Sequence, residues 1–252
     1  MVGNLLLRGM MIGVLAGLLA FGFAKIFGEP WVEYAIAFED HMSHAAAASD
    51  EAGEPEIVSR ATQAGAGLFT GLVVYGAAVG GLFALAFAFA NGRLGSFSPR
   101  STAALLAALG FVAIVLVPQL KYPANPPAVG SAETIGARTE LFFAMLAFSV
   151  ALMAASVMLA RRVAERLGGW NGATTGAFVY LAVVAVMFAA LPSIEEIPAS
   201  FSPAALWNFR VASIGAQAVL WSVIGLGFGA VTEHAARRAR PAARAAGAAG
   251  WR

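Results

Sequence analysis

Two histidines three residues apart, His41 and His44, stand directly after Glu39 and Asp40. On a helix, residues three apart share a face. Neutral imidazole suits Co, Ni, Cu and Zn, and carboxylates add harder oxygen donors. These four side chains form a candidate external site for a divalent transition ion. The other open reading is a solvated acidic segment with incidental histidines. A second group lies further on. Lys121 precedes Pro123, Asn125, Pro126 and Pro127, and Glu133 and Arg138 follow. The prolines hold the chain extended and bias the residues before them away from helix. Asn125 and the backbone oxygens then become hard donors at an ion entrance, or the stretch is a stiff connection. Arg60 and Arg210, like Arg138, stand near the start of an apolar run.

Other chemistry is excluded by residue type. There is no cysteine, which removes thiolate metal sites and disulfides. No glycine-lysine loop that would cradle a phosphate occurs. No Ser/His/Asp grouping or zinc-protease helix is present either, and enzyme activity is not expected. Ionisable groups inside the apolar runs are scarce, and the Asp/Glu/His chain of a proton-coupled pump is not seen.

The elements that would position these residues are set by hydropathy. The chain is 60% hydrophobic and 12% charged, with a mean hydropathy of +0.76. Soluble domains carry about 25% charged residues, so most of this surface must face lipid. A span needs about 20 apolar residues, and six stretches qualify. They run from Gly9 to Phe27, Ala61 to Ala90, Thr102 to Val117, Thr139 to Ala160, Ala173 to Leu191, and Val211 to Val231. In lipid each must be helical, because only a helix satisfies its own backbone groups. The third is expected to stop at Pro118, which breaks the hydrogen-bond ladder. Arg8 and the run after it also resemble a signal peptide, but a small-residue cleavage site is poorly formed around Lys25 and Phe27.

Charge predicts orientation. With the N-terminus inside, the cytoplasmic segments hold eleven arginines, Arg8, Arg93, Arg100, Arg161, Arg162, Arg166, Arg237, Arg238, Arg240, Arg244 and Arg252, against Glu165 and Glu233. The other twelve acids fall outside. An excess of Lys/Arg marks the cytoplasmic side, so both ends are expected in the cytoplasm. The fold class is an all-α polytopic membrane bundle over residues 1–232, with an acidic extracytoplasmic loop over 29–60. Residues 233–252 read as a basic cytoplasmic tail without fixed structure. The basic residues form no single patch, and no nucleic-acid partner is expected.

Glycines recur four apart at Gly9, Gly13 and Gly17, and in the pairs Gly67/Gly71, Gly76/Gly80 and Gly172/Gly176. Small residues at this spacing let a second backbone approach closely, either within the chain or, on the first helix, from another subunit. The chain also reads as three outward hairpins. Each has a proline near the end of its ascending helix (Pro30, Pro118, Pro192), an arginine near the start of its descending helix (Arg60, Arg138, Arg210), and carboxylates between them. An arginine there needs a partner, because burying its charge alone costs several kcal/mol. Arg138 is expected to bind Glu133, Glu140 and the carbonyls of the proline-rich stretch.

Several segments together resemble the CbtA family of predicted cobalt transporter subunits. The proline-rich stretch is the specific part, from Leu120-Lys121-Tyr122-Pro123-Ala124-Asn125-Pro126-Pro127 through Glu133-Thr134-Ile135-Gly136 to Arg138-Thr139. Leu206-Trp207-Asn208-Phe209-Arg210, Phe27-Gly28-Glu29-Pro30 and Trp170-Asn171 are similar to the same family, and the resemblance runs from about Leu5 to Val231. It implies a multi-pass protein of the bacterial cytoplasmic (inner) membrane. It also implies cobalt uptake linked to cobalamin metabolism and a small single-span CbtB-type subunit. Transported Co2+, or Ni2+, is then cargo, and no permanently bound cofactor is expected. Two functions stay open: a permease subunit that brings a divalent cation inward, and a non-transporting scaffold or accessory subunit of another complex.

Overall fold

A computed structural model describes residues 2–46, 58–127, 129–130, 133–194 and 196–249, without the side chains of 43–46 and 239–249. The chain folds as seven helices among these residues, with no strand. They are α1 (Val2–Phe27), α2 (Glu29–Ala46), α3 (Arg60–Ala90), α4 (Pro99–Lys121), α5 (Ile135–Leu167), α6 (Gly169–Ala190) and α7 (Pro203–Ala249). All except α2 are long and apolar enough to cross a membrane. Large apolar side chains stand open on them, Phe89 at 73% and Phe178 at 71% exposure. Water would penalise such surface, whereas hydrocarbon accepts it.

The six spans fall where the apolar runs do, but most extend further at one or both ends. One difference runs against a local rule, at Pro118. The proline does not end α4, which continues to Lys121. Residues Phe111–Leu116 widen into a π-helix, and the Val117 N–H reaches back five residues to the Val112 carbonyl. The wider turn makes room for the ring, which would otherwise collide with the carbonyl four residues earlier. The acidic loop also differs from expectation, because α2 occupies its first half. Pro30 cannot donate a backbone bond, so α1 breaks at Gly28, and α2 starts at once with Glu29 and Pro30 in its first turn. The helix α7 runs on into the basic tail segment, as far as Ala249.

The chain divides into two compact units. The first unit takes α1 up to Phe21, the stretch Ala66–Ala108, and α7 from Ala218 onward. Its seam joins α1 to α3 through backbone. A methyl group built on Gly13 would overlap the Gly76 carbonyl, and one on Gly9 would overlap the Gly80 carbonyl. Gly9, Gly13 and Gly17 of α1 are therefore consumed by packing inside the chain. Phe228 of α7 meets Phe83 and Phe87 of α3 edge-on, with centroids 5.5 and 5.0 Å apart. At the turn into α4, Ser98 Oγ accepts from the Ser101 N–H at 3.1 Å and caps the helix.

The second unit takes Gly22–Gly65 and Leu109–Gln217. Here α5 and α6 form a hairpin closed by Gly168 alone, at φ +86°, a backbone region that favours glycine. Val117, Tyr122, Met145, Tyr180 and Val184 make one core cluster. Inside it Ser149 and Tyr180 share a buried hydrogen bond of 2.7 Å. A second cluster sets Ala35 of α2 against Val129, Phe201 and Ala205, so α2 is anchored by its apolar face.

Candidate functional site

The segment between α4 and α5 carries five of the residues singled out in the sequence, Pro123, Asn125, Pro126, Pro127 and Glu133, with Lys121 and Arg138 on the helices that flank it. Glu196, between α6 and α7, is the centre of a polar cluster. Its side chain is only 2% exposed. Arg138 Nη1, from the first turn of α5, donates to Glu196 Oε1 at 2.7 Å. Asn125 Nδ2 donates to the same oxygen at 2.8 Å, and Thr134 Oγ1 donates to Oε2 at 2.5 Å. A buried carboxylate is stable only when its lone pairs are filled in this way.

The cluster extends through the proline-rich segment. Arg138 Nη2 donates to the Pro123 carbonyl at 2.5 Å. Arg210 Nε and Nη2, from α7, donate to the Ala124 carbonyl at 3.2 Å and to Asn125 Oδ1 at 2.9 Å. Because Pro123 and Pro126 keep this stretch out of helix, its carbonyls are free to accept. Two arginines thus grip one rigid segment, Arg210 with two donors and Arg138 with one, its second going to Glu196. Arginine's planar fork suits such double contacts. Asn125 is engaged at both ends of its amide, so it bridges Arg210 to Glu196.

Lys121 and Tyr122 tie the same segment to the end of α6. Lys121 Nζ donates to the Phe188 carbonyl at 2.9 Å and to Ser193 Oγ at 3.4 Å. Tyr122 OH donates to the Pro192 carbonyl at 2.9 Å. Burial raises the Tyr122 phenol above its ordinary pKa, which keeps it protonated as a donor. Pro126 is buried and Pro127 exposed, while Glu133 and Glu140 are exposed. The carboxylate that Arg138 holds at 2.7 Å is Glu196, 58 residues on, rather than a neighbour in its own segment.

Arg60 belongs to a separate pair. Its Nη2 donates to Glu29 Oε1, joining the start of α3 to the start of α2. Lys25 Nζ donates to the Ala64 carbonyl at 3.3 Å, within the π-helical turn Gln63–Gly67 that opens α3. The metal candidates lie elsewhere, on α2. Glu39, Asp40 and His41 are exposed on its last turns, and the side chain of His44 lies outside the described residues. Among the described residues no group of three or more His, Cys, Asp or Glu stands together as a metal site.

Sequence reasoning read Glu196 as one acid of a loop and missed its central place. Thr134 and Tyr122 were seen only as part of a motif. The available signal was the repeated pairing of arginines with loop acids, which indicates that partners exist without saying which.

No curated protein and no solved structure matches this chain. The model of one family matches residues 2–233, and its description is "Probable cobalt transporter subunit". That match takes in five candidate spans whole and most of the sixth, the proline-rich segment, Glu196 and both of the arginines that clasp the segment, and the chain accordingly belongs to the CbtA family.

Proposed function

We propose that this chain is the membrane-spanning body of a divalent-cation uptake system, carrying Co2+ inward across the bacterial cytoplasmic membrane in support of cobalamin metabolism. The observation that carries the reading is the family match over residues 2–233. The arginine-rich α3–α4 and α5–α6 connections, and the arginine-rich ends, support cytoplasmic termini. On that orientation the Glu196 cluster lies at the outer ends of the helices, where the ion arrives. Its role is to hold the proline-rich segment in one shape across those ends.

The family's description as a subunit supports a partner, which we take to be a small single-span CbtB-type protein. Glu39, Asp40, His41 and His44 serve as a weak capture site on α2, outside the membrane. Residues 233–252 serve as a basic cytoplasmic extension of the bundle.

Accumulation of radioactive cobalt tests the reading. Cells carrying this chain with the single-span partner should accumulate the ion above cells carrying either alone. Background accumulation with both proteins present in the membrane would favour the scaffold instead. Within a working system, replacing His41 and His44 by alanine should reduce uptake most at low external cobalt.

A further inference from the structure

A cavity of about 380 Å³ opens beside the polar cluster, between the end of α4 and the start of α5. Its polar lining comes from Arg138, Gln119 and Thr139, and its apolar walls from Ile135, Phe142 and Phe143. We propose that this cavity binds one membrane phospholipid, with the phosphodiester on Arg138 and an acyl chain along Phe142 and Phe143.

Arg138 is held in place before any ligand arrives. Two of the five N–H donors of its guanidinium go to Glu196 and the Pro123 carbonyl. The side chain still keeps a quarter of its surface exposed and lines the cavity. A fixed guanidinium with donors to spare suits phosphate oxygens, and little rotamer freedom remains to be lost on binding. Gln119 and Thr139 add an amide and a hydroxyl to the same wall.

The walls argue against a water-soluble anion. Phe143 is 61% exposed and Ile135 58% exposed, both on a helix that spans. Such side chains face hydrocarbon in a bilayer. The cavity sits where α4 ends at Lys121 and α5 begins at Ile135, the depth at which hydrocarbon gives way to headgroups. Only a lipid presents phosphate and an apolar chain together at that depth.

The test uses the full-length protein, purified and stripped of lipid in detergent. Three additions are compared: a phospholipid, a diacylglycerol with the same acyl chains, and inorganic phosphate. Native mass spectrometry reads retention, and thermal melting reads stabilisation. The phospholipid should be retained one to one and should raise the melting temperature; the other two should do neither. Thr139→Trp fills the cavity without removing a donor to Glu196, and Gln119→Leu removes one polar contact. Each should weaken retention, roughly tenfold for the loss of one good polar contact. Diacylglycerol performing as well as phospholipid would overturn the proposal in favour of a plain apolar groove. Phosphate alone performing as well would overturn it in favour of a soluble anion. Wild-type retention by both variants would place the lipid elsewhere.

Discussion

The two units use opposite means at two of their joints, the contact of α1 with α3 and the tie among the ends of α4, α5 and α7. In the first, α1 and α3 touch through backbone at Gly9, Gly13, Gly76 and Gly80. In the second, α4, α5 and α7 are tied at their ends by a buried carboxylate, two arginines and an asparagine. The seam works by shape and tolerates no added atom. The cluster works by charge and tolerates no missing partner. In a lipid solvent both are needed, because lipid offers apolar surfaces no hydrophobic drive to associate. Close packing joins helices along their length, with one buried hydrogen bond between Ser149 and Tyr180, while the charged contacts serve where chain leaves hydrocarbon.

Substitutions can break this comparison, and the seam should show the largest effect. Gly13→Leu drives a side chain into the Gly76 carbonyl, and backbone cannot yield as a flexible side chain does. The expected cost exceeds the usual overpacking range of about 1–3 kcal/mol, so little monodisperse protein should be recovered from detergent. Gly22→Ala is the control, since nothing lies within 4 Å of a methyl group there. A melting curve close to wild type is expected for it.

Removing charge from the cluster comes next. Glu196→Ala leaves Arg138 without its carboxylate. Breaking a buried ion pair from one side costs about 3–5 kcal/mol, and the partial exposure of Arg138 argues for the lower end. Thermal melting of Glu196→Ala, Arg138→Ala and the double variant checks the pairing. The double variant should cost clearly less than the sum of the two singles. Strict additivity would mean that the 2.7 Å contact contributes nothing.

Asn125→Ala should be milder. It removes a bridge with one bond to Glu196 and one from Arg210. At about 1 kcal/mol per net hydrogen bond, somewhat more where charge assists, a loss of about 2 kcal/mol is expected. A stability equal to wild type, combined with lost transport, would instead make Asn125 an ion ligand. The smallest effect belongs to Arg237 and Glu233 on α7, an exposed i,i+4 pair at 2.5 Å. Arg237→Ala should change stability by less than about 1 kcal/mol.

Much of the seam was legible in the sequence and little of the cluster was. Six spans follow from apolar runs because lipid leaves the backbone no other choice. The four-residue glycine spacing announces a close contact, and only the partner had to come from the structure. Pro118 misled because a local rule ends a helix at proline, whereas a π-helical turn absorbed the ring. Helix α2 was hidden by its acids, since its anchoring to Val129 and Phe201 is tertiary. The need of Arg138 for a carboxylate and for proline-segment carbonyls follows from charge burial. The choice of Glu196 does not, because nothing local joins residues 58 positions apart.

The most direct measurement is radioactive cobalt accumulation in cells that carry the proposed single-span partner together with this chain. Wild type, Glu196→Ala and Arg237→Ala are compared at matched amounts in the membrane. The account predicts accumulation with wild type and Arg237→Ala, and background with Glu196→Ala, whose proline-rich segment has lost its anchor. Background in all three would contradict cobalt transport by this chain, and wild-type accumulation with Glu196→Ala would contradict the role given to the cluster.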